Sequence, residues 1–413
     1  PQLHTVEVQW FRSLTDVDLY LKPLNIIIGP NASGKSNLIK ALHFVREVVA
    51  KGDWKRYDKA GHHLLWYGAR NGGTRPTRFS INLTVELPEQ FGRYPPEYRL
   101  AVQLGAEKLA LQEECLSLKL SATDSEPVDF IRRQGPQVKH FVESSDGEYS
   151  PQSTRLSSRI AALREYGRDA SFAPIAALYR FVAGWRFLDV DVEKARESAV
   201  AGERPDRIEP LAEDASNLSA FLYSIQHLEQ DRFDEIQDRL GRAIGFPNLI
   251  ETAYRASMTG GPGEAGITFR ERAFPEISIP SESMSDGTIR LLAHLAALLG
   301  DPDATLLCIE EPDHGLHPHL MLRLADTLRS IVDVEPSNEQ YNPLRPQIIL
   351  TTHSPDFLDC FKPDEEADYL QVFVAERGVT DGETVFRPVD GQELSHWLKK
   401  YRLGELVRMG VVR

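Results

Sequence analysis

The sequence predicts an α/β protein. A mixed central sheet and an antiparallel β lobe come from the two ends of the chain, with a mostly helical insertion between them. Three observations lead there. The apolar run Asn25–Ile28 empties into a glycine-rich loop and then into helical spacing. Two later apolar runs, Ala304–Ile309 and Gln347–Thr351, alternate with amphipathic helical stretches at 288–299 and 318–332. Leu3–Phe11 and the segments 79–87, 98–104 and 114–120 alternate polar with apolar residues, the period of half-buried strands.

The elements follow in order. Leu3–Phe11 is a strand with Asp18–Leu24 as its expected partner, and Asn25–Ile28 is a buried strand. Leu38, Ala41, Leu42 and Val45 then recur at helical spacing. The meander from 79 to 120 has Pro/Gly-rich turns such as Gly92–Pro96. From Ser153 to about Ile244 the pattern reads as helical, with Leu156, Ile160 and Leu163 on one face and Leu218, Phe221, Leu222 and Ile225 on another. Ala201–Pro210 is a polar connection, and Met258–Gly266 a glycine-rich turn between strands at 248–254 and 266–270. Segments 369–376 and 384–388 read as a closing hairpin. Residues 1–150 and 245–413 are thus assigned to one split domain, and 151–244 to a helical insertion.

Composition removes several classes. The chain has 413 residues, enough for two or three structural units. Its hydrophobic and charged contents, 41% and 26%, are those of a globular protein. A net charge of −14 argues against a broadly cationic surface, so any nucleic-acid contact must be local. The apolar stretch Leu291–Leu299 is too short to cross a bilayer, and Pro1–Trp10 lacks a signal-peptide pattern. Three cysteines imply no disulfide framework, and a reducing, cytoplasmic setting is expected.

Four motifs carry chemistry. Gly29-Pro30-Asn31-Ala32-Ser33-Gly34-Lys35-Ser36, followed by Asn37, has P-loop spacing in its proper strand–loop–helix setting. Glycines let backbone N–H groups turn inward around phosphate oxygens, and the helix N-terminus adds its positive end. Lys35 is suited to the β/γ-phosphates and the Ser36 hydroxyl to Mg²⁺. Second, Met284-Ser285-Asp286-Gly287-Thr288 precedes a helix, reading either as an anion site or as an ordinary N-cap. Third, Leu306–Ile309 empties into the adjacent carboxylates Glu310 and Glu311, a metal and water-activating pair or else a solvated acidic turn. Fourth, His353 follows the apolar strand Ile348–Thr352, where a histidine is either structural or catalytic.

In this order the motifs resemble the ABC-type ATPases, and specifically the soluble RecF/SMC-like heads. The spacing from Lys35 to Ser285 is longer than in transporter subunits. Residues 31–37, 285–290, 309–318 and 351–355, with Trp10–Leu14 and the tail Tyr401–Leu406, resemble bacterial RecF-like ATPases. These are related to the ATPase domain of overcoming-lysogenisation-defect proteins. The Toprim nuclease of those proteins is not expected, because no Asp-x-Asp on an apolar strand follows Glu376. The resemblance implies an ABC-type P-loop ATPase head that sandwiches ATP between the P-loop of one subunit and Ser285 and Gly287 of another. It implies Glu310 beside Mg²⁺, Glu311 as general base, His353 at the γ-phosphate and Arg12 near the nucleotide. Three departures stand out: Glu310 where the family has Asp, Ser-Asp-Gly-Thr for Ser-Gly-Gly-Gln, and no glutamine between Ile39 and Glu89. His62–Ala69 is expected in that last loop.

A zinc site from His314, His317 and His319 is a rival, with Gly315 and Pro318 against regular geometry. Residues 155–186 hold Arg155, Arg159, Arg164, Arg168, Arg180 and Arg186, with Arg155/Arg159 and Arg164/Arg168 as i,i+4 pairs on common helical faces, either a groove for a DNA backbone or a solvated face paired with acids. The expected function is ATP hydrolysis by a homodimer in a DNA-associated repair or antiphage-defence process. The alternative is an ATP-gated sensor or scaffold that turns over slowly. Either works beside a separate effector such as a nuclease and without a membrane.

Overall fold

The computed structural model describes residues 1–65, 76–87, 97–104, 109–118, 127–143, 149–169, 173–245, 248–257, 261–271, 274–332, 346–378, 382–390 and 402–409. They gather into two compact units, one of residues 1–185 with 371–389, the other of 186–370 with 390–412.

The first unit opens with the hairpin β1 (Gln2–Phe11) and β2 (Leu14–Tyr20), Val8 facing Val17 and Phe11 facing Leu14. The expected partner at 18–24 divides in two, because Pro23 has no N–H for a ladder. β2 ends before it and the fully buried β3 (Leu24–Ile28) begins after it. α1 (Lys35–Arg46) starts inside the glycine-rich loop, and α2 (Lys55–Ala60) follows. Strands β4 (Arg78–Glu86), β5 (Glu97–Leu104), β6 (Leu109–Leu118), β7 (Val128–Gln134), β8 (Gln137–Glu143) and β9 (Tyr149–Arg155) complete an antiparallel sheet. Its order is β2-β1-β4-β5-β6-β7-β8-β9.

One face of that sheet is core. Phe79 of β4 sits edge-on to Phe11 and to Phe44 of α1, with ring centroids 5.1 and 5.2 Å apart. A fully buried carboxylate, Glu114, accepts from Tyr98 at 2.9 Å and pairs with the buried Arg133. It also accepts the N–H groups of Ala162 and Leu163 at 2.7 and 2.8 Å, where α3 (Ala162–Gly167) begins. An anion at a helix N-terminus is favourable, so one carboxylate fixes both the helix and the sheet face. α4 (Ala173–Ala183) closes this part of the unit.

The second unit begins within β10 (Trp185–Leu188) and continues through α5 (Val192–Arg196), β11 (Ala199–Ala201), α6 (Leu218–Leu228) and α7 (Gln230–Ile244). β12 (Asn248–Arg255), β13 (Gly263–Glu271) and β14 (Phe274–Pro280) form a small antiparallel sheet in which β13 also pairs with β11. Then come α8 (Asp286–Leu299), β15 (Leu306–Glu310), α9 (Pro318–Val332), β16 (Gln347–Thr352) and the short α10 (Pro355–Leu358). β10, β15 and β16 lie side by side in that order, the last two parallel. The chain returns to the first unit in β17 (Leu370–Arg377) and β18 (Thr384–Val389), an antiparallel pair with β3 beside β17. α11 (Leu403–Arg408) belongs to the second unit, where Arg408 pairs with Asp356 and Asp359.

The segment read as continuously helical from Ser153 differs. Ser153–Arg155 extends β9, Leu156 and Ile160 lie in turns, and β10 and β11 interrupt the helices. Polar strand residues such as Ser153 and Arg155 give no apolar alternation to read. Residues 151–185 fall in the first unit and 186–244 in the second.

Candidate functional site

The glycine-rich loop connects the buried β3 to α1. Ala32 and Gly34 adopt positive φ, 64° and 102°, the conformation that turns successive N–H groups toward one point. Lys35 is buried, and its ammonium donates to the Gly29 and Pro30 carbonyls at 2.6 and 3.0 Å, closing the loop on itself. Asn31 and Ala32 are exposed at the tip, while Ser36 and Asn37 occupy the first turn of α1. The Ser33 hydroxyl is buried without a hydrogen-bond partner among the described residues. Gly29 has no room for a side chain, since a Cβ there would lie 2.3 Å from the Ala375 carbonyl oxygen of β17.

Two residues that sequence reasoning passed over hold this loop. Thr384, the first residue of β18, donates its hydroxyl to the Ser33 carbonyl at 2.9 Å, and its own N–H donates to Ser13 at 2.8 Å. The Ser13 and Thr384 hydroxyls are 2.6 Å apart, and Asn37 donates to the Ser13 hydroxyl at 2.7 Å. A Cβ on Gly34 would collide with the Thr384 hydroxyl. Ser13 lies in the segment Trp10–Leu14 that carries part of the family resemblance, a weak signal. Nothing near Thr384 marks it.

Arg12 sits in the same turn with φ 53°, its N–H bonded to the Leu64 carbonyl at 2.8 Å. Its Nε is buried with no hydrogen-bond partner among the described residues. Burial lowers its pKa first of all, Tyr57 raises it and Arg56 lowers it again. A desolvated guanidinium with an unused donor suits an anion. The loop's inward N–H geometry, the Lys35 ammonium resting on carbonyls and the unpaired Ser33 and Arg12 donors all fit a polyphosphate.

The second unit collects the acids and the histidine. The parallel register of β15 and β16 sets Glu310 opposite Thr351, which brings the residues just past each strand together. Glu311 and His353 face each other with Oε1 and Nδ1 3.3 Å apart, both partly exposed. Glu311 is held at φ 44°, a strained value for a residue with a Cβ, by its N–H bond to the Thr351 carbonyl at 3.0 Å. Strain of this kind, of order 1–3 kcal/mol, persists where the surroundings enforce it, often at functional positions. Asp313 is buried beside them, and burial raises its carboxyl pKa against the lowering effects of Thr352 and His353.

Ser285 is exposed and caps α8, its hydroxyl accepting from the Thr288 N–H at 3.2 Å and lying 2.8 Å from the Thr288 hydroxyl. Asp286, the departure from Ser-Gly-Gly, is held by an ion pair with Arg196. Gly287 lies close to the loop after Glu311, so that an added Cβ would meet the Gly315 carbonyl oxygen and Leu320 at 3.4 Å. Ser285 and Gly287 therefore flank the acidic loop of their own unit. Among the described residues, no three ligand atoms drawn from His314, His317, His319 and the neighbouring acids lie within 4.8 Å of one another, so the zinc alternative has no cluster. Residues 66–69 of the loop sought for a glutamine substitute lie outside the described residues.

Arg155 and Arg159 share no helical face, whereas Arg164 lies in α3 and Arg168 caps its C-terminus in helical conformation. Arg155 ends a strand and Arg159 lies in a turn. Arg159 pairs with Asp58 and stacks 4.3 Å over Trp54, Arg164 donates to the Ala50 carbonyl, and Arg186 pairs with Asp301 at 2.6 Å. Arg155, Arg168 and Arg180 remain exposed.

A glycine-rich loop of P-loop spacing between strand and helix, with a strand-end Glu-Glu, a strand-end histidine and a Ser-Asp-Gly helix start, fits an ABC-type P-loop ATPase head of the RecF/SMC-like class. Residues 24–359 match the family described as "AAA domain, putative AbiEii toxin, Type IV TA system", and the chain belongs to that family. It is 29% identical over 119 residues to the DNA replication and repair protein RecF of Lactococcus lactis subsp. cremoris (strain SK11). That match takes in 27% of this chain and 32% of RecF, so the chain spans about a third of that relative's length. An SMC head crystallised with the C-winged helix domain of ScpA is similar in fold, with TM-score 0.57 and 14% identity, covering 95% of this chain and 99% of the other. An SMC head with an extended coiled coil, bound to the C-terminal domain of ScpA derived from Pyrococcus furiosus, gives TM-score 0.53 and 14% identity, covering 97% and 99%. No helix among the described residues is long and apolar enough to cross a membrane.

Proposed function

We propose that the chain binds and hydrolyses ATP, that ATP closes a homodimer of two heads, and that the cycle serves a DNA-associated repair or antiphage-defence process with a separate effector protein. The observation that carries hydrolysis is the Glu311–His353 pair, 3.3 Å apart, with Glu311 in strained backbone. A carboxylate held beside a strand-end histidine is placed to accept a proton from an attacking water. The Gly29–Asn37 loop holds the phosphates, and Lys35 leaves its loop carbonyls to neutralise them. His353 and Arg12 add donors to the charge that develops on the transferred group. The Ser36 hydroxyl and the Glu310 carboxylate are each suited to ligate Mg²⁺, which would supply charge neutralisation when bound. Ser285 and the Gly287 N–H, at the start of α8, offer an anion site to the nucleotide of the partner head.

DNA enters from RecF, whose name states replication and repair, and a protein partner from the SMC heads, which are held with domains of ScpA. In this reading residues 1–150 and 245–413 supply the head and 151–244 the insertion that sets partner specificity.

Glu311→Gln is expected to keep ATP, lose at least about a hundredfold in turnover and accumulate an ATP-dependent dimer in light scattering. Lys35→Ala is expected to lose nucleotide binding. Full turnover by Glu311→Gln removes the base assignment. A Glu311→Gln protein that stays monomeric with ATP and Mg²⁺ removes the dimer. Hydrolysis measured with and without duplex DNA separates the DNA-associated cycle from an ATP-gated scaffold, which would turn over slowly and ignore DNA.

A further inference from the structure

We propose that the outer face of β7, β8 and β9 binds the phosphodiester backbone of duplex DNA. The inference rests on the DNA-associated reading above and gives it a surface, one distinct from the helical faces expected at 155–186.

The register creates the patch. Arg132 of β7 faces Lys139 of β8, which faces Ser153 of β9, and one step along each strand pair Gln134 faces Gln137, which faces Arg155. Residues two apart on a strand share a face, so these six side chains lie together, all exposed, while Arg133 and Val138 between them are buried. They line a depression of about 450 Å³.

Its charge is unusual for this chain. Like charges directly opposite one another destabilise a sheet, yet Arg132 and Lys139 are direct neighbours. Among the described residues Arg132 pairs with one carboxylate, Asp129 at 2.6 Å, which already accepts from Ser117 at 2.7 Å. Among the described residues no carboxylate pairs with Lys139 or Arg155. At the sheet's far end Glu7 faces Asp18 and Gln9 faces Asp16 across β1 and β2, whereas Glu113 of β6, which faces Gln134 at the border of the patch, lies 4.0 Å from both Arg78 and Arg99. Burial raises the Asp18 pKa, and repulsion from Glu7 and Asp16 raises it further. In a protein of net charge −14, Arg132, Lys139 and Arg155 thus gather with three polar side chains at one end of the sheet, and the cluster Glu7, Asp16 and Asp18 lies at the other. A polyanion is drawn to one end and repelled from the other.

The side chains indicate which polyanion. Arginine and lysine with glutamine and serine are the residue types that contact phosphate and sugar without reading sequence. None of the six is aromatic, so the face offers no platform for stacking unpaired bases, which single-strand binders use. A duplex backbone fits a shallow depression three strands wide.

The test is fluorescence anisotropy of a labelled random-sequence duplex over a salt series, comparing the full chain with Arg132→Gln/Lys139→Gln/Arg155→Gln. Three phosphate contacts contribute about −2.7 to the slope of log K against log salt, so the triple variant should show a slope shallower by that amount and at least about tenfold weaker binding at low salt. Binding of a fluorescent ATP analogue and far-UV circular dichroism should not change. If the triple variant is misfolded, the single charge reversal Lys139→Glu, at an exposed position, carries the test with a slope change of about 1 or more. Unchanged affinity and slope in a parent that binds duplex overturns this surface and leaves DNA association standing. A parent that binds no duplex at low salt, with or without ATP, overturns both. Displacement of the duplex by polyglutamate of equal charge, or tighter binding to single strands, overturns the duplex assignment.

Discussion

The P-loop is shaped by a hydroxyl 351 positions away, so Thr384→Val should weaken nucleotide binding although residue 384 is not part of the P-loop motif. Valine nearly matches threonine in volume, so the loss is chemical: the donor to the Ser33 carbonyl at 2.9 Å and the partner of the Ser13 hydroxyl at 2.6 Å both vanish. Leaving a buried carbonyl unpaired costs about 1–3 kcal/mol, and we take about 2 kcal/mol for the pair of bonds. If the loop must be ordered to hold phosphates, that is about a 30-fold rise in Kd, since about 1.4 kcal/mol is tenfold. The assay is titration of a fluorescent ATP analogue, with urea melts of the nucleotide-free protein alongside. Thr384→Ser, which keeps the hydroxyl, should bind within about threefold of the parent. Ser13→Ala combined with Thr384→Val should show a coupling of about 0.5–3 kcal/mol, because the two residues share one network. Parent-like binding by Thr384→Val, or strict additivity with Ser13→Ala, would refute the reasoning.

Two further outcomes follow from the second unit. An added Cβ at Gly287 meets the Gly315 oxygen and Leu320 at 3.4 Å, and alanine favours a helix over glycine by up to about 1 kcal/mol, so Gly287→Ala should melt within a few degrees of the parent. Its ATP turnover should nonetheless fall if the Gly287 N–H must be approached by the nucleotide of a partner head. Unchanged turnover would remove that role. His294 of α8 is fully buried, with both ring nitrogens unpaired among the described residues, and burial, aided by Arg290, lowers its pKa to about 3. The unfolded chain takes up this proton near pH 6.5 while the folded chain refuses it, so stability falls as pH drops from 6.5 toward 3. At pH 5 the loss is about 2 kcal/mol relative to pH 8. His294→Leu should flatten the stability curve by that amount in urea melts at each pH, and parallel curves for the two proteins would contradict the assignment.

What was legible in the sequence was local. The loop between β3 and α1 writes its own signature, because the backbone conformations at Ala32 and Gly34 and the helix that follows are properties of nine consecutive residues. Apolar runs of five or six residues with a carboxylate or histidine after them likewise showed the strands β15 and β16. The Glu311–His353 contact, however, depends on the register that sets Glu310 opposite Thr351, which neither segment encodes alone. The Ser285 motif reads two ways for a physical reason: its hydroxyl caps α8 and is also exposed, so the cap leaves room for the proposed anion contact.

Polar strands were the blind spot. Ser153, Thr154 and Arg155 belong to β9 through the ladder with β8, and their alternation has no apolar member to announce it. Reading them as helical moved Arg155 onto an imagined helical face with Arg159, whereas the sheet sets it beside Gln137 near Lys139 and Arg132. The same cations thus changed neighbours when the period changed from 3.6 to 2. Charge counted along a sequence is therefore weak evidence for a binding surface until the backbone period is known. Thr384 makes the converse point, since a residue with no motif of its own becomes part of the glycine-rich loop's support once β18 is laid beside β17 and Ser13.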